Sequence, residues 1–100
     1  MRYEINYPRV ISQVKSIEHD AGQLDRQVKL MIKMEEDCSK AWQGKAASTF
    51  MTKLSALRDE IDWTAKQITQ LASTIKSCAD DIQRAEEEAD IRASALTTGQ

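Results

Sequence analysis

Aromatic residues are scarce in this chain: two tryptophans, two tyrosines and one phenylalanine among 100 residues. Runs of alternating Val, Ile, Thr or Tyr are missing as well, so β-strands have no obvious home. One proline, Pro8, and three glycines, Gly22, Gly44 and Gly99, leave few points at which a helix must break. The single histidine, His19, lies between Glu18 and Asp20, and no second imidazole, Cys-x-x-Cys pair or glycine-rich phosphate loop accompanies it. Ser39, Ser48 and Ser55 have no candidate base nearby in the sequence. These gaps argue against an enzyme, a metal or a cofactor. A formal net charge of -2, from 14 basic and 16 acidic residues, lacks the concentrated basic face that nucleic-acid binding requires. No stretch approaches the ~20 apolar residues of a membrane span. The first six residues show neither an apolar h-region nor a small-residue cleavage site. The reading so far is one small all-α domain, cytoplasmic and outside the general secretory route.

What is present is a pair of long apolar stripes. The first runs Val10, Val14, Ile17, Ala21, Leu24, Val28, Met31, Glu35, Cys38. The second runs Ala47, Phe50, Leu54, Leu57, Ile61, Thr64, Ile68, Leu71, Ile75, Cys78, Ile82, Ala85, Ala89. Gaps of three and four keep one narrow face of a helix turned towards a partner helix. With only a short connection between them, each half is the other's nearest partner. The expected architecture is an antiparallel two-helix hairpin: helix one over about 8–39, a turn over about 39–44, helix two over about 45–92 and a frayed tail over 93–100.

Local signals fit this outline. Asn6 or Tyr7 is placed to cap helix one, with Pro8 tolerated in the first turn because its missing N–H has no intrahelical partner there. Asp37 or Ser39 can end one helix or cap the next, and Gly44 can take a backbone conformation closed to other residues. Trp42 is expected to fold over the last apolar turn. Gly22, next to Ala21, either admits a close helix approach or is a tolerated surface glycine. Cys78 lies roughly 50 Å along helix two from Gly44, so it cannot meet Cys38 in a hairpin. Both cysteines read as small core residues. The acidic run Asp80, Asp81, Glu86, Glu87, Glu88 and Asp90 reads as a solvated helix face, and the remaining carboxylates as solvent-facing groups available for i, i+4 pairing, as with Glu36 and Lys40.

Two helices packed only on each other make a thin core, and a further interface would strengthen it. Off the main seam lie Ile11, Leu30, Ile32 and Met34 on helix one and Met51 and Trp63 on helix two. They either widen the core of the hairpin or anchor a second hairpin in a four-helix bundle.

The central Trp42-Gln43-Gly44, the Ala47 and Phe50 that open helix two, the length and the missing leader together resemble the WXG-motif, early-secreted-antigen-like proteins of type VII secretion. The resemblance implies a non-catalytic secreted protein that forms homodimers or heterodimers with a related small helical protein. It also implies a C-terminal Tyr-x-x-x-Asp/Glu motif that acts with the Trp-x-Gly turn as a composite surface read by the secretion ATPase. The matching stretch here carries Ile82 at the tyrosine position and Glu86 at the acidic one, on one helix face. Tyr3 and Tyr7 lie at the other terminus and do not substitute by sequence. The expected export residues are Trp42, Gly44, Ile82 and Glu86. The implied roles are a secreted substrate or export partner, exported from the cytoplasm for competition or virulence. A targeting or stabilising partner of a larger toxin's helical N-terminal domain and a plain intracellular coiled-coil adaptor stand as alternatives.

Overall fold

A computed structural model describes residues 5–98. Two helices, α1 (Tyr7–Ala41) and α2 (Lys45–Thr98), lie antiparallel in a rod of 85 × 16 × 16 Å. Asn6 caps α1: its side chain accepts the Arg9 N–H at 3.2 Å, and Pro8 occupies the first turn. At the other end the Trp42 N–H donates to the Cys38 carbonyl at 2.8 Å. The connection is tighter than the sequence suggests, because α1 continues through Ala41 and only Trp42, Gln43 and Gly44 are non-helical. Gly44 adopts φ +109°, a conformation that side chains resist, and its carbonyl accepts the Ser48 N–H at 3.0 Å to start α2. Neither Asp37 nor Ser39 caps α2. The Ser39 hydroxyl instead bonds back to the Glu36 carbonyl inside α1. The tail expected to fray from residue 93 is helical to Thr98, consistent with its run of good helix formers at Ala93, Ala95 and Leu96.

The α1 stripe packs as expected. Val14, Ala21, Val28 and Glu35, seven residues apart, are buried, and Val10, Ile17, Leu24, Met31 and Cys38 beside them are half-buried. On α2 the expectation is only half right. The column Ala47, Leu54, Ile61, Ile68, Ile75 does flank the seam, but its companion is Met51, Arg58, Ala65, Ala72, Ala79, Glu86. Phe50, Leu57, Thr64, Leu71, Cys78, Ile82 and Ala85, assigned to the seam from the sequence, are exposed. Either neighbouring column preserves the spacing of three and four. The small side chains settle which one faces α1, since Ala65, Ala72 and Ala79 bury almost completely and let the backbones approach, while Phe50 and Leu71 would hold them apart. Gly22 is not part of this approach: a β-carbon added there would meet nothing within 4 Å, so it is a tolerated surface glycine.

One level of the seam is polar. Glu35, at 8% exposure, lies with its Oε2 3.0 Å from Arg58 Nε, and the Ser55 hydroxyl donates to its Oε1. The buried Arg58 Nε–H is not aimed along the contact, so the pair is held by charge and not by a directed hydrogen bond. Glu35 is thus buried as its place on the α1 stripe requires, whereas the acidic run expected to be a solvated face departs from that at Asp80 and Glu86, which are half-buried and bonded to α1's end of the chain. Elsewhere the helix surface closes i, i+4 pairs at Asp25–Lys29, Asp62–Lys66 and Lys76–Asp80.

Two substitutions test this core. Arg58→Ala should cost about 1–3 kcal/mol, less than a fully buried pair because water reaches part of the Arg58 side chain; replacing Glu35 and Arg58 together by leucine should recover most of it in urea denaturation followed by circular dichroism. Ala72→Leu should destabilise by about 1–3 kcal/mol through overpacking.

Candidate functional site

The two edges of the hairpin differ in chemistry. Along one, Glu18, Gly22 and Asp25 of α1 and Asp62, Lys66, Thr69 and Ser73 of α2 line an open polar groove. Helical spacing puts Val10, Ile17, Leu24, Met31 and Cys38 of α1 on the other edge, beside Phe50, Leu57, Leu71 and Ile82 of α2. The α1 members are half-buried and the α2 members are 43–55% exposed. Exposed Met34 adjoins this edge on α1, whereas Leu30, two residues past the buried Val28, stands on the back of the helix. The result is one continuous apolar strip along the paired length, broader than scattered surface leucines produce.

The other predicted interface residues separate. Ile11 and Met51 are half-buried against the seam, whereas Trp63, at 64% exposure, stands on the back of α2 among polar neighbours. It does not join Leu30 and Met34 in one patch. Cys38 is half-buried and Cys78 is exposed, both as free thiols, so the core role expected of Cys78 is not what the fold gives it.

At the turn, Trp42 leans on Phe50 with ring centroids 5.5 Å apart and planes tilted by 49°. Both rings stay partly open, at 44% and 43% exposure, so Trp42 packs on the outside of α2 instead of covering the end of the core. Lys45, Ala46, Thr49, Phe50 and Lys53 line a shallow, mainly apolar slot beside them. This end of the hairpin is aromatic, and its lysines Lys40, Lys45 and Lys53 share it with the carboxylates Glu36 and Asp37.

The opposite end is acidic and tied together across the chain. The Tyr7 hydroxyl donates to Asp80 Oδ1 at 2.5 Å, and Lys76 Nζ holds Asp80 Oδ2 at 3.2 Å. The Ile5 N–H donates to Glu86 Oε1 at 2.8 Å. Asp80 and Glu86 are half-buried, Ile82 is 46% exposed, and every residue from Glu87 through Leu96 is exposed. Hydrogen bonds from Tyr7 and then Lys76 hold the Asp80 carboxyl below its ordinary range, and the same Asp80 bond holds the Tyr7 hydroxyl above its own. Sequence reasoning missed both Tyr7 and Arg58. The step 7, 14, 21, 28, 35 along α1 puts Tyr7 on the buried column, and the step 58, 65, 72, 79 along α2 does the same for Arg58. Those repeats are the signal that could have found them.

A family model described as proteins of 100 residues with WXG matches residues 2–87, a span that takes in the Trp-x-Gly turn. The chain belongs to the WXG100 family. This is the family of small type VII secretion proteins, non-enzymatic secretion substrates that typically pair with related small helical proteins. The WXG100 match ends where α2 passes beyond α1 and every described side chain becomes exposed. No curated protein and no solved structure gives a significant match. Among the described residues, no helix is long and apolar enough to cross a membrane.

The clasp between Tyr7 and Asp80 sets a pH window. Asp80 titrates lower in the folded chain than unfolded, so its contribution is complete above about pH 4 and is lost as pH falls through the lower folded value. Tyr7 titrates higher, so its contribution is complete below about pH 10 and is lost as pH rises through the higher folded value. Phenolate absorbance of the wild type minus that of Tyr7→Phe should therefore show a step above pH 10; a step at or below the ordinary tyrosine value would show that the bond is not formed in solution.

Proposed function

We propose that this WXG100 protein is a small non-catalytic type VII substrate that leaves the cell as a pair of hairpins, each covering the other's apolar edge. The observation that carries the reading is that edge: an apolar strip runs the full paired length, facing away from the polar groove, and half of its side chains are still open to water. Burying it is the interaction the hairpin has left to make.

Charge favours a second copy in antiparallel orientation. Lys40, Lys45 and Lys53 flank the turn together with Glu36 and Asp37, while Asp80, Asp81, Glu86, Glu87 and Glu88 outnumber Lys76 and Arg84 at the other end, so reversing the second hairpin keeps the two acidic ends apart. The same orientation solves a distance problem. Within one chain Trp42 and Gly44 are about 57 Å from Ile82, judged from the rise of α2, too far for a single recognition surface. In the reversed pair the turn of one hairpin stands level with Ile82 and Glu86 of the other. Trp42, Gly44, Ile82 and Glu86 are then a surface made by two chains and read by the secretion ATPase.

Trp42→Ala is expected to abolish appearance of the tagged protein in cell-free medium from a strain with an active type VII apparatus, with helix content unchanged. Sedimentation of the purified chain should give a species at twice 11.3 kDa. A monomer at all concentrations would exclude the self-pair, and normal export of Trp42→Ala would exclude the recognition role.

A further inference from the structure

The apolar edge of α2 consists of two columns that step by seven, one from Phe50 to Cys78 and the other from Leu54 to Ile82. The first is exposed, and the second is half-buried as far as Ile75. Columns offset by three and four form the seam of a paired helix, and α1 covers only one flank of this one. The corresponding edge of α1 is poorer, interrupted by Gln13, Asp20 and Gln27. Thr64, in the middle of the exposed column, brings no unpaired donor, because its hydroxyl bonds back to the Glu60 carbonyl at 2.8 Å. Laid against a reversed copy of itself, the seam matches end to end when Phe50 meets Ile82 and Leu57 meets Ile75, and the same steps carry on to Cys78 against Leu54. Beside it runs a further exposed column of Lys53, Glu60, Gln67, Thr74 and Asp81. In that register Lys53 of each copy stands by Asp81 of the other, and Gln67 by its own counterpart. A slip of one heptad in one direction replaces Asp81 by Thr74 and leaves Ile82 beyond Phe50. A slip in the other direction sets Glu60 against Asp81.

We propose that the two copies meet α2 against α2 in this register, selected by Lys53 of each chain and Asp81 of the other. The proposal rests on the self-pair reading above and names the face and the alignment. Lys53 forms no ion pair with another described residue of its own chain, and it lines the shallow apolar slot beside Phe50. Asp81 holds only Arg84 along its own helix, at 3.4 Å between two exposed side chains, a loose pair that a second cation can join. Ile82 of the second copy then packs on Phe50, and so beside Trp42, which leans on the same ring. Exposed ion pairs contribute little to affinity, so their effect is on the choice of register and of partner. A helical protein of the same shape without both charges at these steps gains no such selection.

Lys53 and Asp81 are about 42 Å apart along one helix, so no contact within a chain links them. The test is sedimentation equilibrium of the full chain as wild type, as Lys53→Glu, as Asp81→Lys and as an equal mixture of the two variants, with helix content read by circular dichroism. Each variant alone sets like charges together at both places in the pair and should self-associate about tenfold more weakly than wild type. The mixture restores unlike charges at both and should pair within about threefold of wild type. A second readout leaves these charges intact: Cys78, exposed in the single hairpin, lies against Leu54 in the pair. Its alkylation, followed in Cys38→Ser, should slow about tenfold as protein concentration rises through the dissociation constant. A wild-type dimer whose variants pair normally, or whose mixture pairs no better than either variant, would overturn the register while leaving the self-pair reading intact. A dimer in which Cys78 reacts at the monomer's rate would do the same, since the α2 edge would then not be the contact. A wild-type monomer at every concentration would overturn the self-pair reading and this register with it.

Discussion

Close approach of two helix backbones, made possible by Ala65, Ala72 and Ala79, is the constraint from which the rest of this molecule follows. Alanine contributes little apolar area, so the seam is stabilised less by the size of the side chains buried than by how many neighbours pack around them at short range. Once those three positions face α1, the helix period fixes everything else on α2. The larger groups of the column Phe50, Leu57 and Leu71 turn out of the seam to one edge, and Asp62, Lys66 and Thr69 turn to the other. A core built from small residues and a surface rich in large ones are two consequences of one choice of face.

The two ends of the rod are fixed by unrelated means. At the turn, Gly44 supplies a backbone angle that reverses the chain within three residues, and the Glu35–Arg58 pair lies just inside it. A charge pair in a seam this thin adds little net stability. Its effect is on register, since sliding α2 by one heptad would put Arg58 opposite Val28 and leave Glu35 without a cation. At the far end, where α1 begins, Tyr7 and Ile5 bond to Asp80 and Glu86. The register set near the turn therefore determines which α2 residues meet the start of the chain some fifty ångströms away.

α1 was readable from its stripe because the columns beside it are broken by polar residues, Gln13, Asp20 and Gln27 before Met34 on one side and Glu18 and Asp25 between Ile11 and Ile32 on the other. α2 was not, because Leu54, Ile61, Ile68 and Ile75 sit between two columns that both keep a spacing of three and four. An amphipathic count favours Phe50, Leu57 and Leu71, which are bulkier, over Ala65, Ala72 and Ala79. Hydrophobicity ranks burial by size, while a helix pair limited to short range ranks it by fit. The turn was legible for a local reason, as Trp42-Gln43-Gly44 needs nothing from elsewhere in the chain. Tyr7 and Arg58 were missed although each continues a buried column by steps of seven, because a polar side chain adds nothing to a hydrophobic count and their partners lie 73 and 23 residues away.

The shared column carries one more consequence. Leu54, Ile61, Ile68 and Ile75 are half-buried by α1 on one flank and open on the other, towards the apolar edge. A second hairpin seated on that edge would bury the remaining flank of the same side chains, so association and hairpin closure draw on common atoms and cannot vary independently. Each closed hairpin presents an edge that favours pairing, and each pairing opposes opening of the hairpin. Coupling of this kind suits a protein recognised by surfaces that only the folded chain assembles. The turn and the clasp at Glu86 sit at opposite ends of one seam, and loosening that seam anywhere along its length would disperse both.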